Sequence, residues 1–127
     1  MAASIDVVLD QLFNGRRIDP ELLADDVEWV NPPDAVEPGT RRGADEFNRA
    51  IAKVFETWDD VHFDTERVVE TGDGALALGM MSGHLHASGM EVTAPHGQWW
   101  TFRDGRVVRM EWFNSHRKAL EAVGLSE

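Results

Sequence analysis

Residues 91–114 read EVTAPHGQWWTFRDGRVVRMEWFN, and their pattern decides the fold. Two runs of β-prone residues flank Asp104-Gly105, a dipeptide that suits a tight hairpin turn because both positions tolerate positive φ. Side chains alternate across a strand. One face of the hairpin therefore collects Ala94, His96, Gln98, Trp100 and Phe102 from the first run and Val108, Met110, Trp112 and Asn114 from the second. The opposite face collects Trp99, Thr101, Arg109, Glu111 and Phe113. Upstream, Gly72-Asp73-Gly74 and Ser88-Gly89 divide the chain from Val61 onward into two further extended segments, which predicts four antiparallel strands in a meander. In the second of them Leu76, Leu78, Met80, Ser82, His84 and His86 share a side, and Ala75, Ala77, Gly79, Met81 and Gly83 share the other. Bulk assigns the first set to the interior.

The residues before this meander follow a helical period. Ile5, Val8, Leu9, Leu12 and Phe13 recur behind Ser4 as N-cap, with Asn14-Gly15 as the stop. Asp19-Pro20-Glu21 predicts a second short helix carrying Leu22 and Leu23 and ending near Asp25-Asp26. A brief strand over Val27 to Val30 is stopped by Asn31-Pro32-Pro33, and the segment to Gly43 reads as a polar loop. Phe47, Ile51, Val54, Phe55 and Trp58 form the apolar stripe of a third helix, with Asp45 and Glu46 in its first turn. Ser115 caps a closing helix bearing Ala119, Leu120 and Val123, ended by Gly124. Helices first and strands afterwards predict an α+β domain spanning residues 1–127, with the helices packed on one face of the sheet.

Composition narrows the function. Twelve Lys and Arg against 23 Asp and Glu leave a net charge of -11, which repels phosphate backbones and anionic membranes, so neither nucleic acid nor membrane is expected as partner. The absence of Cys removes disulfides, thiolate metal sites and a cysteine nucleophile. With no basic, apolar leader and no run of roughly 18 apolar residues, a cytoplasmic location is expected.

The predicted inner face mixes Trp and Met with His84, His96, Gln98 and Asn114, near Asn31 at the end of the first strand. Apolar walls with a few convergent polar groups describe a small-molecule pocket, lined by Trp29, Leu78, Met80, Trp100, Met110, Trp112 and Asn114. The bland alternative is that the polar groups only satisfy one another and that the aromatics are ordinary core. His84-Leu85-His86 with Glu91 supplies donor types for a first-row metal and is similar to the first cupin motif, with Gly79 and Gly97 each one residue too close and no second motif. No metal or other cofactor is assigned. The outer-face Trp99 and Phe113 suggest a homodimer through that face.

The segments Leu23 to Trp29, Arg42-Gly43, Ser88 to Val92, Thr101 to Val107 and Lys118 to Leu125 occur in this order over nearly the whole chain. Together they resemble the SnoaL-like domains of the nuclear transport factor 2-like, or ketosteroid isomerase-like, superfamily. The resemblance implies a cone of helices over a curved, mostly antiparallel sheet enclosing one pocket, commonly dimeric. It spans isomerases, polyketide cyclases, epoxide hydrolases and non-enzymatic binders, so the site must choose. Against the ketosteroid isomerase pattern, Asn31 stands where the general-base aspartate is found, and an amide is no base. Gln98 stands at the place of the protonated aspartic acid, and the chain has no Tyr at all. The resemblance thus implies a cyclase- or isomerase-type enzyme with His96 or His84 as acid or base, and Gln98, Asn31 and Asn114 orienting an apolar carbonyl compound. The alternatives are a non-catalytic binding or carrier module and a metal-dependent enzyme built on His84, His86 and Glu91.

Overall fold

Ser4 accepts a hydrogen bond from the Val7 amide and starts α1, Ile5–Phe13, which buries Val8 and Leu12. The computed structural model describes residues 2–125; Met1, Ser126 and Glu127, the ends of the expected domain, lie outside the described residues. Asp19 caps the next turn through the Glu21 amide, but only a single 3-10 turn forms, Pro20–Leu22. Leu23 then enters β1, Leu23–Asn31, pairing with Val107. The predicted second helix to Asp26 is thereby corrected: strand pairing takes the residues that local propensity offered to a helix.

A second correction concerns the loop before Gly43. Gly39–Arg42 forms β2, antiparallel to the end of β1. It carries no apolar residue, so hydrophobic alternation could not reveal it; backbone pairing and the Arg42–Glu28 ion pair hold it. Its charges suit an exposed sheet edge. Gly43, at φ 99°, turns the chain into α2, Ala44–Thr57, in a conformation that favours glycine. Asp45 and Glu46 occupy the first turn of α2, and Phe47 and Ile51 are fully buried beneath it.

The four-strand meander follows as predicted, except that Trp58, expected on the helical stripe, opens its first strand: β3 Trp58–Thr71, β4 Gly74–Leu85, β5 Glu91–Arg103 and β6 Arg106–Phe113. The six strands lie in the order β2-β1-β6-β5-β4-β3, every neighbouring pair antiparallel except β1 with β6. Asp104 and Gly105 both have positive φ at the β5–β6 turn. Ser115 caps α3, His116–Ala122, and Gly124 follows it at φ 85°. No helix among the described residues is long and apolar enough to cross a membrane.

Two irregularities in β3 bend the sheet. One extra residue lies between Asp59 and His62, where Asp60 takes φ 48°, and another between Thr65 and Arg67. A bulge increases local twist and curls the strand. Opposite the second bulge, a Cβ on Gly79 would stand 2.0 Å from the Asp64 carbonyl oxygen, so only glycine fits there. Gly79→Ala is expected to cost about 1–3 kcal/mol by forcing the two strands apart, read as a lower urea midpoint.

α1 and α2 cover the concave face with one apolar core, including Val8, Leu12, Ile18, Val27, Trp29, Phe47, Ile51, Trp100 and Met110. A second, smaller core lies on the convex face, where Leu76, Leu78 and Phe113 pack under Ala119 and Leu120 of α3. The outer-face aromatics that suggested a homodimer therefore meet apolar partners within the chain: Phe113 is 7% exposed, and Trp99 packs against the same cluster.

Candidate functional site

Between α1, α2 and the concave face lies a cavity of about 620 Å³. That volume is in the range that takes a small organic ligand. Its walls come from Leu12 and Phe13 of α1, Ala50 and Val54 of α2, and Trp29, Met81, His96, Gln98, Met110 and Trp112 of the sheet. The loop carrying Ala35, Val36 and Glu37 borders the opening. The reason for space here is a pairing of small with large. Ala75, Ala77 and Gly79 of β4 lie beside Trp100, Gln98 and His96 of β5 and leave those longer side chains their room.

This pairing reverses the predicted parity of β4. Met81 faces the cavity, whereas Leu78 belongs to the convex core under α3 and Met80 shares its row. Neither lines the cavity, contrary to expectation. His84 lies on that same outer side, its side chain 41% exposed, and is likewise no cavity residue. Its Nδ1 is 3.0 Å from Asp60 Oδ1, which raises the His84 pKa and lowers that of Asp60. Glu91 approaches the opposite nitrogen at 3.6 Å, and His86 Nδ1 is bound instead to Asp59 Oδ1 at 3.0 Å. The two imidazoles are thus held by separate carboxylates. Among the described residues no group of three His, Asp or Glu converges on a metal position, which corrects the metal-dependent alternative.

His96, Gln98 and Trp100 succeed one another along β5 and form a hydrogen-bonded row. An indole nitrogen only donates, so Trp100 Nε1 donates to Gln98 Oε1 at 3.0 Å and fixes the amide's orientation. The Gln98 amide nitrogen must then donate to His96 Nε2, 3.1 Å away. This assigns the ring proton to Nδ1, by inference from the network. Burial, followed by the proximity of His116, pushes the His96 pKa down to about 4, so the ring is neutral at pH 7. Phe63 meets it edge-on at 5.4 Å and Trp112 lies roughly parallel at 5.9 Å. With Nε2 occupied, Nδ1–H is the donor this ring can offer a ligand. His116 stays on the other side of β4, donating from Nε2 to the Gly79 carbonyl at 2.7 Å.

Asn31 does line the cavity, and its amide is used in shaping it. Its Oδ1 accepts from Trp29 Nε1 at 2.8 Å and Trp112 Nε1 at 2.5 Å, while Nδ2 donates to the Glu37 carbonyl at 2.8 Å. One side chain therefore orients two aromatic walls and ties down the mouth loop. An aspartate here would keep both indole bonds but lose the donor to Glu37. Asn114 is at the exposed rim, where it joins Lys118 in lowering the Asp34 pKa, Lys118 having the larger effect. Trp100, fully buried against Phe47, forms core beneath the cavity and does not line it.

Sequence reasoning missed the mouth, which carries Arg41, Arg49 and Lys53 together with Glu37 and Glu46. The one legible signal was the spacing of Arg49 and Lys53, four apart beside Ala50 and Val54 on the helical stripe.

A model of the SnoaL-like domain family matches residues 11–110. No curated protein matches the chain. Among solved structures, an NTF2-like protein from Burkholderia thailandensis is 26% identical, with 87% of this chain and 88% of that one covered and a TM-score of 0.70. TerC, crystallised with polyporic acid, is 25% identical over 94% of this chain and 95% of its own, with a TM-score of 0.69. A protein from Catenulispora acidiphila with a ketosteroid isomerase-like fold, in complex with trimethylamine, is 16% identical over 97% and 95%, with a TM-score of 0.71.

Proposed function

The chain belongs to the SnoaL-like domain family, and from that footing we propose that its cavity binds one aromatic carbonyl compound and promotes its enolisation, as an isomerase- or cyclase-type enzyme. His96 Nδ1–H donates to the carbonyl oxygen, and the proton lost from the adjacent carbon passes to solvent water entering by the cavity mouth, since the Asn31 amide is no base. The observation that carries this reading is the Trp100–Gln98–His96 row, which presents a neutral, oriented donor in an otherwise apolar wall. A preorganised donor at the oxygen where charge develops stabilises an enolate more than a ketone. This changes the role expected of the histidine. A ring held neutral, with its free lone pair already accepting from Gln98, works as an electrophile rather than as an acid or base. That TerC was crystallised with polyporic acid supports reading the cavity as a small-molecule site.

One observation favours the second reading, a non-catalytic carrier. Asn31 replaces a base with an amide occupied by Trp29, Trp112 and Glu37, and the carboxylates lining the cavity, Glu37 and Glu46, are both ion-paired at the mouth. Proton exchange separates the readings. With 2-acetonaphthone in D2O, the wild-type protein is expected to accelerate exchange of the hydrogens next to the carbonyl. His96→Phe should remove about a hundredfold of that acceleration, the usual loss for one donor to a developing oxyanion. The acceleration should show no inflection near pH 6.5. Binding without acceleration would assign the carrier role, and an inflection near 6.5 would restore an acid–base histidine.

A further inference from the structure

The opening of the cavity reverses the sign of the protein around it. The chain has 12 Lys and Arg against 23 Asp and Glu, yet the cavity residues include three cations and two acids. The excess centres on Glu37. Its carboxylate accepts from Arg41 Nη2 at 3.1 Å and from Lys53 Nζ at 3.0 Å, so two cations share one charge. Arg49 and Glu46 pair separately. Arg41 is the most enclosed of the three cations, its side chain 28% exposed, and among the described residues its one other bond goes from Nη1 to the Pro38 carbonyl. A guanidinium has five N–H donors and an ammonium three, so both retain free donors directed by neither partner.

Stability does not account for this arrangement, because exposed ion pairs of this kind contribute little. Such weak pairs also exchange readily for a stronger partner. The apolar Val36 stands fully exposed at the same opening, beside Glu37. Inward from it the walls are Val54, Trp29, Trp112 and Met81, which offer nothing to a charge. A ligand that fits this gradient has an apolar body and one anionic end.

We infer that the ligand is an aromatic carbonyl compound that also bears a carboxylate, held at the mouth by Arg41 and Lys53 in exchange for Glu37. The inference rests on the carbonyl reading of the cavity and adds the second end of the molecule. Arg41 supplies the planar fork that suits a carboxylate, and Lys53 supplies a point charge.

The test uses two probes that differ only in charge, 2-acetonaphthone and 6-acetyl-2-naphthoate, titrated by calorimetry at low ionic strength. The carboxylate is expected to bind about tenfold more tightly, the size of one charge-assisted hydrogen bond, and this ratio should shrink as salt is added. In the double variant Arg41→Gln/Lys53→Gln the ratio should fall to about one, with the neutral ketone in the same variant reporting that the cavity is intact. Equal affinities in the wild type would overturn the carboxylate subsite and leave the carbonyl reading standing. A ratio that survives in the double variant would overturn its assignment to Arg41 and Lys53. A retained ratio with no response of either probe to His96→Phe would support the subsite and overturn the carbonyl reading. Binding of neither probe would overturn both.

Discussion

Trp100→Ala is expected to lower the free energy of unfolding by about 3–5 kcal/mol, while Trp112→Ala lowers it by less than half as much. Both indoles lie on the concave face of neighbouring strands, so their chemistry is the same and their surroundings differ. Trp100 is fully buried, packs on Phe47 at 6.1 Å and donates to Gln98. Its removal leaves a sealed void and an unpaired amide oxygen, and both terms are unfavourable. Trp112 already borders the cavity. Truncating it enlarges space that exists, forfeits fewer contacts, and gives up one bond to an Asn31 oxygen that still holds Trp29. Urea unfolding of the two variants decides the matter. Equal losses would mean that Trp112 is core and that the cavity closes in solution.

The second large effect is on acid stability. The His96 pKa falls from 6.5 to about 4 on folding. Between these values the unfolded chain takes up a proton that the folded chain refuses, so stability rises with pH across the window. The contribution is complete above pH 6.5, is lost as the pH falls towards about 4, and changes no further below that. Its size is roughly 3 kcal/mol. Asp34, Glu37 and Asp60 also have lowered pKa values and weaken the fold in acid, and His84, with its raised pKa, acts in the opposite sense. These groups remain in His96→Phe. The difference between wild type and variant, measured by urea unfolding at pH 7 and pH 4, therefore isolates His96. Identical pH dependence in the two proteins would show that the imidazole is solvated and would remove the neutral donor from the site.

Much of this architecture is local. Ser4, Asp19 and Ser115 each cap the turn that follows them, and Asp104-Gly105 makes the hairpin turn that its residues suit. The alternation along residues 91–114 correctly grouped His96, Gln98 and Trp100 on one face with Met110 and Trp112, because that strand pairing is regular through Trp100. Where local signals are weak, pairing across the sheet decides the element. Gly39–Arg42 has no apolar period, and Leu23 is drawn from a one-turn helix into pairing with β6.

The parity of β4 marks the boundary. From the sequence alone it follows that Leu76, Leu78, Met80 and His84 share one side and Ala75, Ala77, Gly79 and Met81 the other, since alternation is a property of any extended backbone. Which side is the interior depends on what each face packs against. The concave face beside β4 is filled by the longer side chains of β5, so it requires small residues there. Leu76 and Leu78 of β4 instead bury themselves beneath α3. The same holds for the site's chemistry. Residue type marked His96 and Gln98 as polar groups for an apolar face. Only the packed structure, which aligns Trp100 with Gln98 and Gln98 with His96 and buries the ring, makes the imidazole neutral and leaves Nδ1–H to donate.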